Sequence, residues 1–259
     1  MSDIGKEASK HTFDDDLDSL ITEIGTQGLE DDVRPESPIT SATLISQAVG
    51  QYLASRAAQF DAILFDVGGV MLTNGWDHIE RAAVMQHFSL DTSDFEARHP
   101  EPYDALERDT ISLSAYLDAT VFYQPRSFTE DDFIEAMKAQ SQPIPSNAIG
   151  VLAEIAASKI WLVGVLNNEC RQLHEYRMEK YAIGHHLDVQ LSSCYLALRK
   201  PEPAIYKRAI DILGRPAERV IFIDDRANNT AAAATAGMHA IQFQGEDQLR
   251  HQLQQLGIL

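Results

Sequence analysis

The sequence predicts an α/β fold with a doubly wound parallel sheet. From Asp61 onwards, short apolar runs of strand length alternate with segments of helical periodicity, which is typical of a parallel sheet covered by helices. Three of these runs end in polar side chains, at Asp66, Asn167 and Asp224. Ligands of open α/β sheets bind beyond the carboxyl ends of the strands. The same pattern therefore predicts where a functional site lies.

The first run, from Ala62 to Phe65, leads directly into Asp66, and two glycines follow at positions 68 and 69. Such an apolar run is typical of a buried parallel strand. Glycines let the backbone turn sharply and come close to a ligand. A carboxylate in this place can act as a nucleophile or a metal ligand, although a turn with a solvated charge has the same local pattern.

Residues 76–145 contain no convincing strand and predict an α-helical insert. Beyond them the alternation of helices and strands resumes. The helices of the insert are predicted over residues 79–88, 94–99, 113–122 and 130–140. Later helices are predicted over 148–157, 171–181, 203–213, 230–236 and 248–256, and later strands over 161–166, 188–192, 220–223 and 239–243.

The amino-terminal region differs in composition from the rest. Residues 1–36 hold eleven acidic residues against three basic ones, so residues 1–40 are expected to form a solvated, mobile extension. Apolar residues from Phe13 to Ile24 recur at helical spacing, which fits either a frayed helix or an acidic helix that docks on a protein partner. Residues 41–60 predict a second, amphipathic helix.

The composition of the sequence restricts the classes of binding partner that we expect. A formal net charge of −18 argues against nonspecific binding to nucleic acid or to an anionic membrane surface. No apolar run approaches the ~20 residues of a spanning helix. The two cysteines do not make a disulfide framework, and the start of the sequence has no signal-peptide pattern. We expect reduced thiols and a cytoplasmic location.

The ordered motifs resemble those of the haloacid dehalogenase superfamily, whose phosphohydrolases use an aspartate nucleophile. The resemblance covers residues 61–259 and rests on four segments and the pair Asn167-Asn168. These segments are Phe65-Asp66-Val67-Gly68-Gly69-Val70, Leu72-Thr73-Asn74-Gly75-Trp76-Asp77, Arg199-Lys200-Pro201 and Asp224-Asp225-Arg226-Ala227. The resemblance implies a Rossmann-like core over 61–75 and 146–259, with a small helical cap over 76–145 inserted after the first core strand.

The resemblance also implies an activity, namely Mg²⁺-dependent hydrolysis of a small phosphorylated metabolite through an aspartyl-phosphate intermediate. Asp66 is then the nucleophile and a metal ligand, and Lys200 neutralises it and holds the phosphate. Asp225 and the carbonyl of Gly68 bind Mg²⁺ directly, whereas Asp224 acts through water. Helix capping is the alternative role for the acidic pair.

Further residues receive supporting roles. Asn229 is expected to orient the acidic pair. Phosphate contacts are expected from Gly68, Gly69, Asn167, Asn168 and Lys200. Substrate contacts are expected from residues that follow the first and second core strands, namely Asn74, Trp76, Asp77, His78, Glu169 and Arg171. Trp76 is equally suited to anchor the cap hinge, and Glu169 is a candidate proton donor.

Two positions depart from the family pattern. Gly68 stands where many of these phosphatases have a second aspartate, a general acid–base whose contribution is typically ~10²–10⁴-fold. Asn167 stands where a Ser or Thr is usual, and its amide can still donate to a phosphate oxygen. These departures keep open a catalytically weakened binding or scaffold protein. A 2-haloacid dehalogenase is the other alternative, but it leaves Asp224 and Asp225 unexplained.

Overall fold

The computed structural model describes residues 59–259 together with residues 46, 49 and 50. The extension predicted over 1–40 lies outside these residues, as does most of the helix predicted over 41–60, of which residues 46, 49 and 50 are helical. The chain divides into two compact units: one is Phe60–Gln252, and the other joins Met1–Gln59 to Leu253–Leu259. In the described part of the second unit, a turn closes where the Ile258 N–H donates to the Leu253 carbonyl at 2.8 Å.

The described strands form one parallel sheet in the order β3-β2-β1-β4-β5. This confirms the predicted fold class. Strand β1 is central, and its last residue, Phe65, pairs with Val165 of β2 on one side and with Ile223 of β4 on the other. A crevice for ligands is expected at this point, where the strand order changes direction. The strands are β1 (Ala62–Phe65), β2 (Leu162–Val165), β3 (Val189–Gln190), β4 (Val220–Asp224) and β5 (His239–Gln242).

Eleven α-helices lie within residues 59–259. They are α1 (His78–His87), α2 (Thr92–Arg98), α3 (Pro100–Glu107), α4 (Leu113–Thr120), α5 (Glu130–Ala139), α6 (Ile149–Ser158), α7 (Arg171–Lys180), α8 (Ser193–Leu196), α9 (Pro203–Leu213), α10 (Ala227–Thr235) and α11 (Glu246–Gln255). None of them is long and apolar enough to cross a membrane.

Two helices differ from the sequence prediction in ways that affect the site. Helix α3 was not predicted, but its first residue, Pro100, suits a helix start because the first N–H groups of a helix need no intrahelical partner. Helix α10 begins at Ala227, three residues before the predicted start at Thr230, and so contains Asn229 in its first turn.

Helices α1–α5, called here the helical segment, pack around an apolar cluster that also includes Cys170 and Leu173. Trp76 is buried among Phe95, Phe133 and other side chains of that cluster. Its Nε1–H donates to the Tyr116 hydroxyl at 2.8 Å, and this hydroxyl also lies 2.8 Å from His99 Nδ1. Both interior polar groups are thereby satisfied. The division into core and cap domains stays a prediction.

Candidate active site

Asp66 lies immediately beyond the buried strand β1 and is itself buried. The backbone N–H of Val67 donates to its Oδ1 at 2.8 Å, and Lys200 Nζ lies 2.9 Å from the same oxygen. Burial raises the pKa of Asp66 to about 7, although the nearby ammonium of Lys200 opposes this shift. The strand therefore presents a desolvated carboxylate beside a fixed cation.

Lys200 joins the ends of β1 and β4. Its Nζ lies 2.9 Å from Asp66 Oδ1 and donates to Asp224 Oδ2 at 2.6 Å. Burial disfavours the ammonium form, but the two carboxylates outweigh it, and the pKa of Lys200 is raised. Lys200 is therefore positioned to remain charged between two acids.

The backbone of Lys200 is held by Asn168. The Asn168 Nδ2 donates to the Lys200 carbonyl at 2.9 Å, and its Oδ1 accepts the Lys200 N–H at 2.8 Å. The Asn168 amide thus forms two hydrogen bonds to the backbone of Lys200 and fixes the loop that carries this lysine. Asn168 also lines the same cavity as Asp66, so the phosphate contact expected of it stays a prediction.

Asp224, at the end of β4, is fixed from a second direction. The Nδ2 of Asn229 lies 3.0 Å from each of its carboxylate oxygens, and the Arg226 N–H donates to Oδ1 at 2.8 Å. The early start of α10 brings Asn229 into reach. Asn229 therefore contacts Asp224 of the acidic pair, and its orienting role stays a prediction.

Asp225 completes an acidic cluster with Asp66 and Asp224, in which one oxygen from each carboxylate lies within 4.8 Å of the others. Burial, followed by the charge of Asp224, raises the pKa of Asp225. Among the residues that the structure describes, its buried Oδ1 has no hydrogen-bond partner, and an unpaired carboxylate oxygen is costly to bury. Three converging carboxylates with a free oxygen suit a hard cation such as Mg²⁺.

A side chain at either glycine after Asp66 would meet a different neighbour. A Cβ at position 69 would lie 2.3 Å from Asp225 Oδ2, and Gly69 has a φ of +71°, so a side chain there would displace the acid. A Cβ at position 68 would lie 3.2 Å from Asn74 Cα. Gly68 lines the cavity, whereas the Gly69 N–H already donates to the Leu72 carbonyl at 2.7 Å. That N–H is thus not available for the phosphate contact expected of Gly69.

Asn167 is buried and is not among the residues that line the cavity beside Asp66. Its Nδ2 lies 3.3 Å from His174 Nδ1, while His174 Nε2 lies 2.9 Å from Gln190 Oε1. Because Gln190 Oε1 can only accept, His174 carries its proton on Nε2, and its Nδ1 accepts from Asn167. The Asn167 Nδ2 is thus used within the fold, and burial lowers the pKa of His174 to about 4.

The expected substrate-contact residues separate into two groups. Asn74, Trp76 and Asp77 line a cavity of about 100 Å³ that also contains Asp66 and Lys200. His78 and Arg171 are partly or largely exposed, with 75% and 39% of their side chains accessible, and neither lines this cavity. The structure thus places these two residues away from the expected substrate contacts.

Glu169 is not placed to serve as the proton donor. Its Oε2 accepts from Arg177 Nη1 at 2.6 Å, its Oε1 accepts from the Cys170 N–H at 3.2 Å, and both charged side chains are 2% accessible. Burial nevertheless raises the pKa of Glu169 to about 7. Glu169 is therefore held in a buried ion pair, and it is not among the residues that line the cavity beside Asp66.

Sequence reasoning missed much of the cavity lining. Arg199 and Arg226 each adjoin a motif residue, which is a signal that was available in the sequence. Tyr103 and Glu107 lie on the unpredicted helix α3, and no motif marks them. The missed lining residues are Arg81, Tyr103, Glu107, Arg177, Arg199 and Arg226.

Comparisons with known proteins agree with this fold. Residues 60–237 match the family model of haloacid dehalogenase-like hydrolases. The chain is 35% identical over 80 residues to flavin mononucleotide hydrolase 1 of Arabidopsis thaliana, a match that covers 31% of this chain and 33% of that protein. The chain thus spans about a third of the length of this curated relative.

Solved structures share the fold at low identity. A haloacid dehalogenase family enzyme of Bacteroides thetaiotaomicron superposes with a TM-score of 0.65 at 18% identity, covering 75% of this chain and 98% of that one. The same enzyme in complex with magnesium and inorganic phosphate gives 0.58 at 18% identity, covering 72% and 95%. The L-2-haloacid dehalogenase of Xanthobacter autotrophicus gives 0.52 at 16% identity, covering 75% and 82%.

Proposed function

The chain belongs to the haloacid dehalogenase-like hydrolases, and on this premise we propose that it is a Mg²⁺-dependent phosphomonoester hydrolase for a small phosphorylated metabolite. The observation that carries the proposal is the cluster at the ends of β1 and β4. There Asp66 lies 2.9 Å from Lys200 Nζ and within reach of two further carboxylates, Asp224 and Asp225.

In the proposed reaction, Asp66 attacks phosphorus. Val67 and Lys200 both contact Oδ1, so we assign Oδ2 as the attacking oxygen. A bond forms between Oδ2 and phosphorus while the bond from phosphorus to the alcohol oxygen breaks, and the released alkoxide takes a proton from water. Water then hydrolyses the aspartyl phosphate, which releases inorganic phosphate and restores the Asp66 carboxylate. Lys200 keeps the nucleophile ionised and offsets the phosphate charge.

The carboxylates of Asp66, Asp224 and Asp225, with the Gly68 carbonyl, would hold the ion. The partnerless Oδ1 of Asp225 and the mutual repulsion within the acidic cluster support this assignment. Bound Mg²⁺ supplies positive charge that offsets the carboxylates and the phosphate. Asn229 and the Arg226 N–H keep Asp224 in position.

Gly68 leaves the alcohol without a proton donor at the position two residues after the nucleophile. The rate is therefore expected to rise steeply as the alcohol becomes more acidic, with aryl phosphates cleaved far faster than alkyl phosphates. Gly68→Asp is expected to raise the turnover of alkyl phosphates by up to ~10²-fold, provided that Asn74, whose Cα would lie 3.2 Å from the new Cβ, shifts by a few tenths of an ångström.

We further propose that the helical segment acts as a cap and selects the substrate. Residues from the start of α1 and from α3, including Arg81, Tyr103 and Glu107, line the same cavity as Asp66. The flavin mononucleotide hydrolase among the relatives makes flavin mononucleotide one compound to assay.

The test is phosphate release from a series of aryl phosphates, with Mg²⁺ and with EDTA. We expect metal-dependent release and a negative slope of log kcat/KM against leaving-group pKa. A flat line would show that another group already protonates the alcohol. Metal-independent chloride release from 2-chloropropionate, with no phosphate release, would favour the dehalogenase. No hydrolysis of either substrate class would favour a binding or scaffold protein.

A further inference from the structure

Residues 197–202 form the loop between α8 and α9, called here the lysine loop because it carries Lys200. Arg108, which directly follows α3 in the helical segment, contacts this loop at two points. Its Nη1 donates to the Ala197 carbonyl at 3.3 Å and to Glu202 Oε2 at 3.2 Å, and its Nη2 donates to Glu202 Oε1. Ala197 precedes Lys200 and Glu202 follows it, so one guanidinium spans the loop on both sides of the lysine.

A chain of alternating charges extends this contact. Arg108 Nε donates to Asp104 Oδ2 at 2.9 Å, and Asp104 Oδ1 accepts from Arg199 Nη1 at 2.5 Å. Arg199 also makes an ion pair with Glu107. The groups follow one another in the order Glu202, Arg108, Asp104, Arg199 and Glu107. Arg199 and Glu202 belong to the lysine loop, so this network joins the loop to α3, and a network stabilises more than isolated surface pairs do.

The position of the Lys200 ammonium depends on the lysine loop. Its Nζ lies 2.9 Å from Asp66 Oδ1 and 2.6 Å from Asp224 Oδ2, and only 1% of the side chain is accessible. From the core, Asn168 holds the backbone of Lys200 through two hydrogen bonds. A displacement of ~1 Å at a reacting centre can cost ~10²-fold in rate, so contacts that fix this loop affect catalysis.

We propose that Arg108 is a positioning residue for Lys200: it fixes the lysine loop and so keeps Nζ against Asp66, although Arg108 does not itself line the cavity. The kinetic consequence rests on the proposed phosphomonoester hydrolase activity. The placement of Lys200 can be measured without any substrate.

The first experiment measures this placement by amine labelling with acetic anhydride, followed by mass spectrometry. In the wild type, the buried Lys200 should react far more slowly than the exposed Lys159. Arg108→Gln is expected to speed the labelling of Lys200 by about three- to tenfold, because local opening of the lysine loop becomes more frequent. The rate at Lys159 should not change.

Asp109→Asn is the matched control. Asp109 is the neighbour of Arg108 in the sequence and also joins the helical segment to the core, through an ion pair of 2.6 Å with Arg171 of α7. Arg171 lies outside the lysine loop. We therefore expect wild-type labelling of Lys200 and wild-type kcat in this variant. If Asp109→Asn exposes Lys200 as much as Arg108→Gln does, both changes only loosen the helical segment, and the inference is wrong.

The second experiment measures turnover of p-nitrophenyl phosphate. Arg108→Gln is expected to lower kcat by about 10- to 100-fold and to leave KM within about threefold of the wild type. Arg108→Lys keeps the charge but not the contact with both sides of the loop, so it should restore only part of kcat. A raised KM with unchanged kcat would assign Arg108 to substrate binding and contradict the inference.

Glu202→Gln removes the same contact from the side of the loop. We expect a similar loss of kcat, and the double variant with Arg108→Gln should be no slower than the slower single variant, because both changes break one interaction. Fully additive losses would contradict a shared role. If Arg108→Gln does not fold, Glu202→Gln is judged by the same labelling and kinetic criteria.

The two experiments separate this inference from the proposed activity. Faster labelling of Lys200 in Arg108→Gln, with no phosphate release even from the wild type, would overturn the hydrolase and support the positioning of the lysine. In an active enzyme, either wild-type labelling of Lys200 or wild-type kcat in Arg108→Gln would overturn the positioning role and leave the hydrolase intact.

Discussion

Two buried ion-pair sites follow neighbouring strands of the sheet, and they differ in charge balance. At the first, the single ammonium of Lys200 contacts Asp66 and Asp224, and Asp225 lies close by. Acidic groups outnumber basic ones there, and one oxygen of Asp225 has no hydrogen-bond partner within the described part of the chain. Asp66 and Lys200 line a cavity. This arrangement is costly for stability and suited to binding a cation and a phosphate.

At the second site, Glu169 and Arg177 are matched one to one. The Arg177 guanidinium also donates to the Thr73 carbonyl, and Glu169 accepts from the Cys170 N–H. Burial raises the pKa of Asp66 and of Glu169 to about 7 in both cases. A raised pKa alone therefore does not distinguish a reactive carboxylate from a structural one, whereas charge balance and access to the cavity do.

Asp66→Asn is expected to have the largest effect. Asparagine is nearly isosteric but cannot form the proposed acyl phosphate, so we expect kcat to fall by about 10³-fold or more. The melting temperature should change little, because Lys200 keeps Asp224 as a partner. Phosphate release and thermal unfolding measure the two quantities. Turnover within about tenfold of the wild type would contradict the covalent mechanism.

Metal removal is the next test, and it concerns the acidic cluster of Asp66, Asp224 and Asp225. EDTA is expected to abolish phosphate release, and millimolar MgCl₂ should raise the melting temperature of the metal-free protein by mass action. Asp225→Asn should weaken both effects, because it removes the negative charge of a proposed direct ligand. An unchanged melting temperature with Mg²⁺ in the wild type would show that the acidic cluster does not bind the ion.

Glu169→Gln is expected to lower stability with little effect on turnover, which is the opposite of the result expected for Asp66→Asn. Loss of its charge leaves Arg177 buried without an ionic partner, which destabilises a protein by about 3 kcal/mol. Turnover per folded molecule should stay within about threefold of the wild type. Urea unfolding measures the stability, with Glu154→Gln as the control. Glu154 pairs with Arg250 and is 53% accessible, so its loss should cost about 0.5 kcal/mol or less.

The buried His174 predicts a smaller, pH-dependent effect. Its pKa is lowered to about 4 by burial, against an ordinary value of 6.5, so the unfolded state binds the proton first as the pH falls. The contribution of neutral His174 to the free energy of unfolding is therefore fully present above pH 6.5 and is lost as the pH falls towards 4. At pH 5 the loss is about 2 kcal/mol. His174→Gln should flatten the curve of unfolding free energy against pH, whereas substitution of the exposed His78 by Gln should not. An unchanged curve in His174→Gln would contradict this assignment.

The sheet and the strand-end cluster were predictable because they depend on short-range patterns. Apolar runs of strand length fix β1, β2 and β4, and parallel strands bring Asp66 and Asp224 to one edge whatever lies between them. Helix α3 was missed because its two prolines and polar residues hide the helical pattern. Tyr103 and Glu107 were missed with it.

Partners of individual side chains were not predictable. Nothing in the sequence distinguishes Glu169, which has a matched arginine, from Asp225, which has a free oxygen. Asn167 and Asn168 are adjacent and chemically identical, but one contacts His174 and the other clasps Lys200. These differences arise from contacts between residues that are distant in sequence.

The buried position of Trp76 makes its fluorescence an intrinsic reporter of the environment inside the helical segment. The chain has two tryptophans, and Trp76, which follows β1 by eleven residues, is buried in the apolar cluster of the helical segment. In a Trp161→Phe background, all indole fluorescence comes from Trp76, whose Nε1–H is bonded to Tyr116 in an apolar surrounding. A movement of the helical segment that lets water reach this indole would shift its emission to the red. Stopped-flow fluorescence would then time such a movement without an added label.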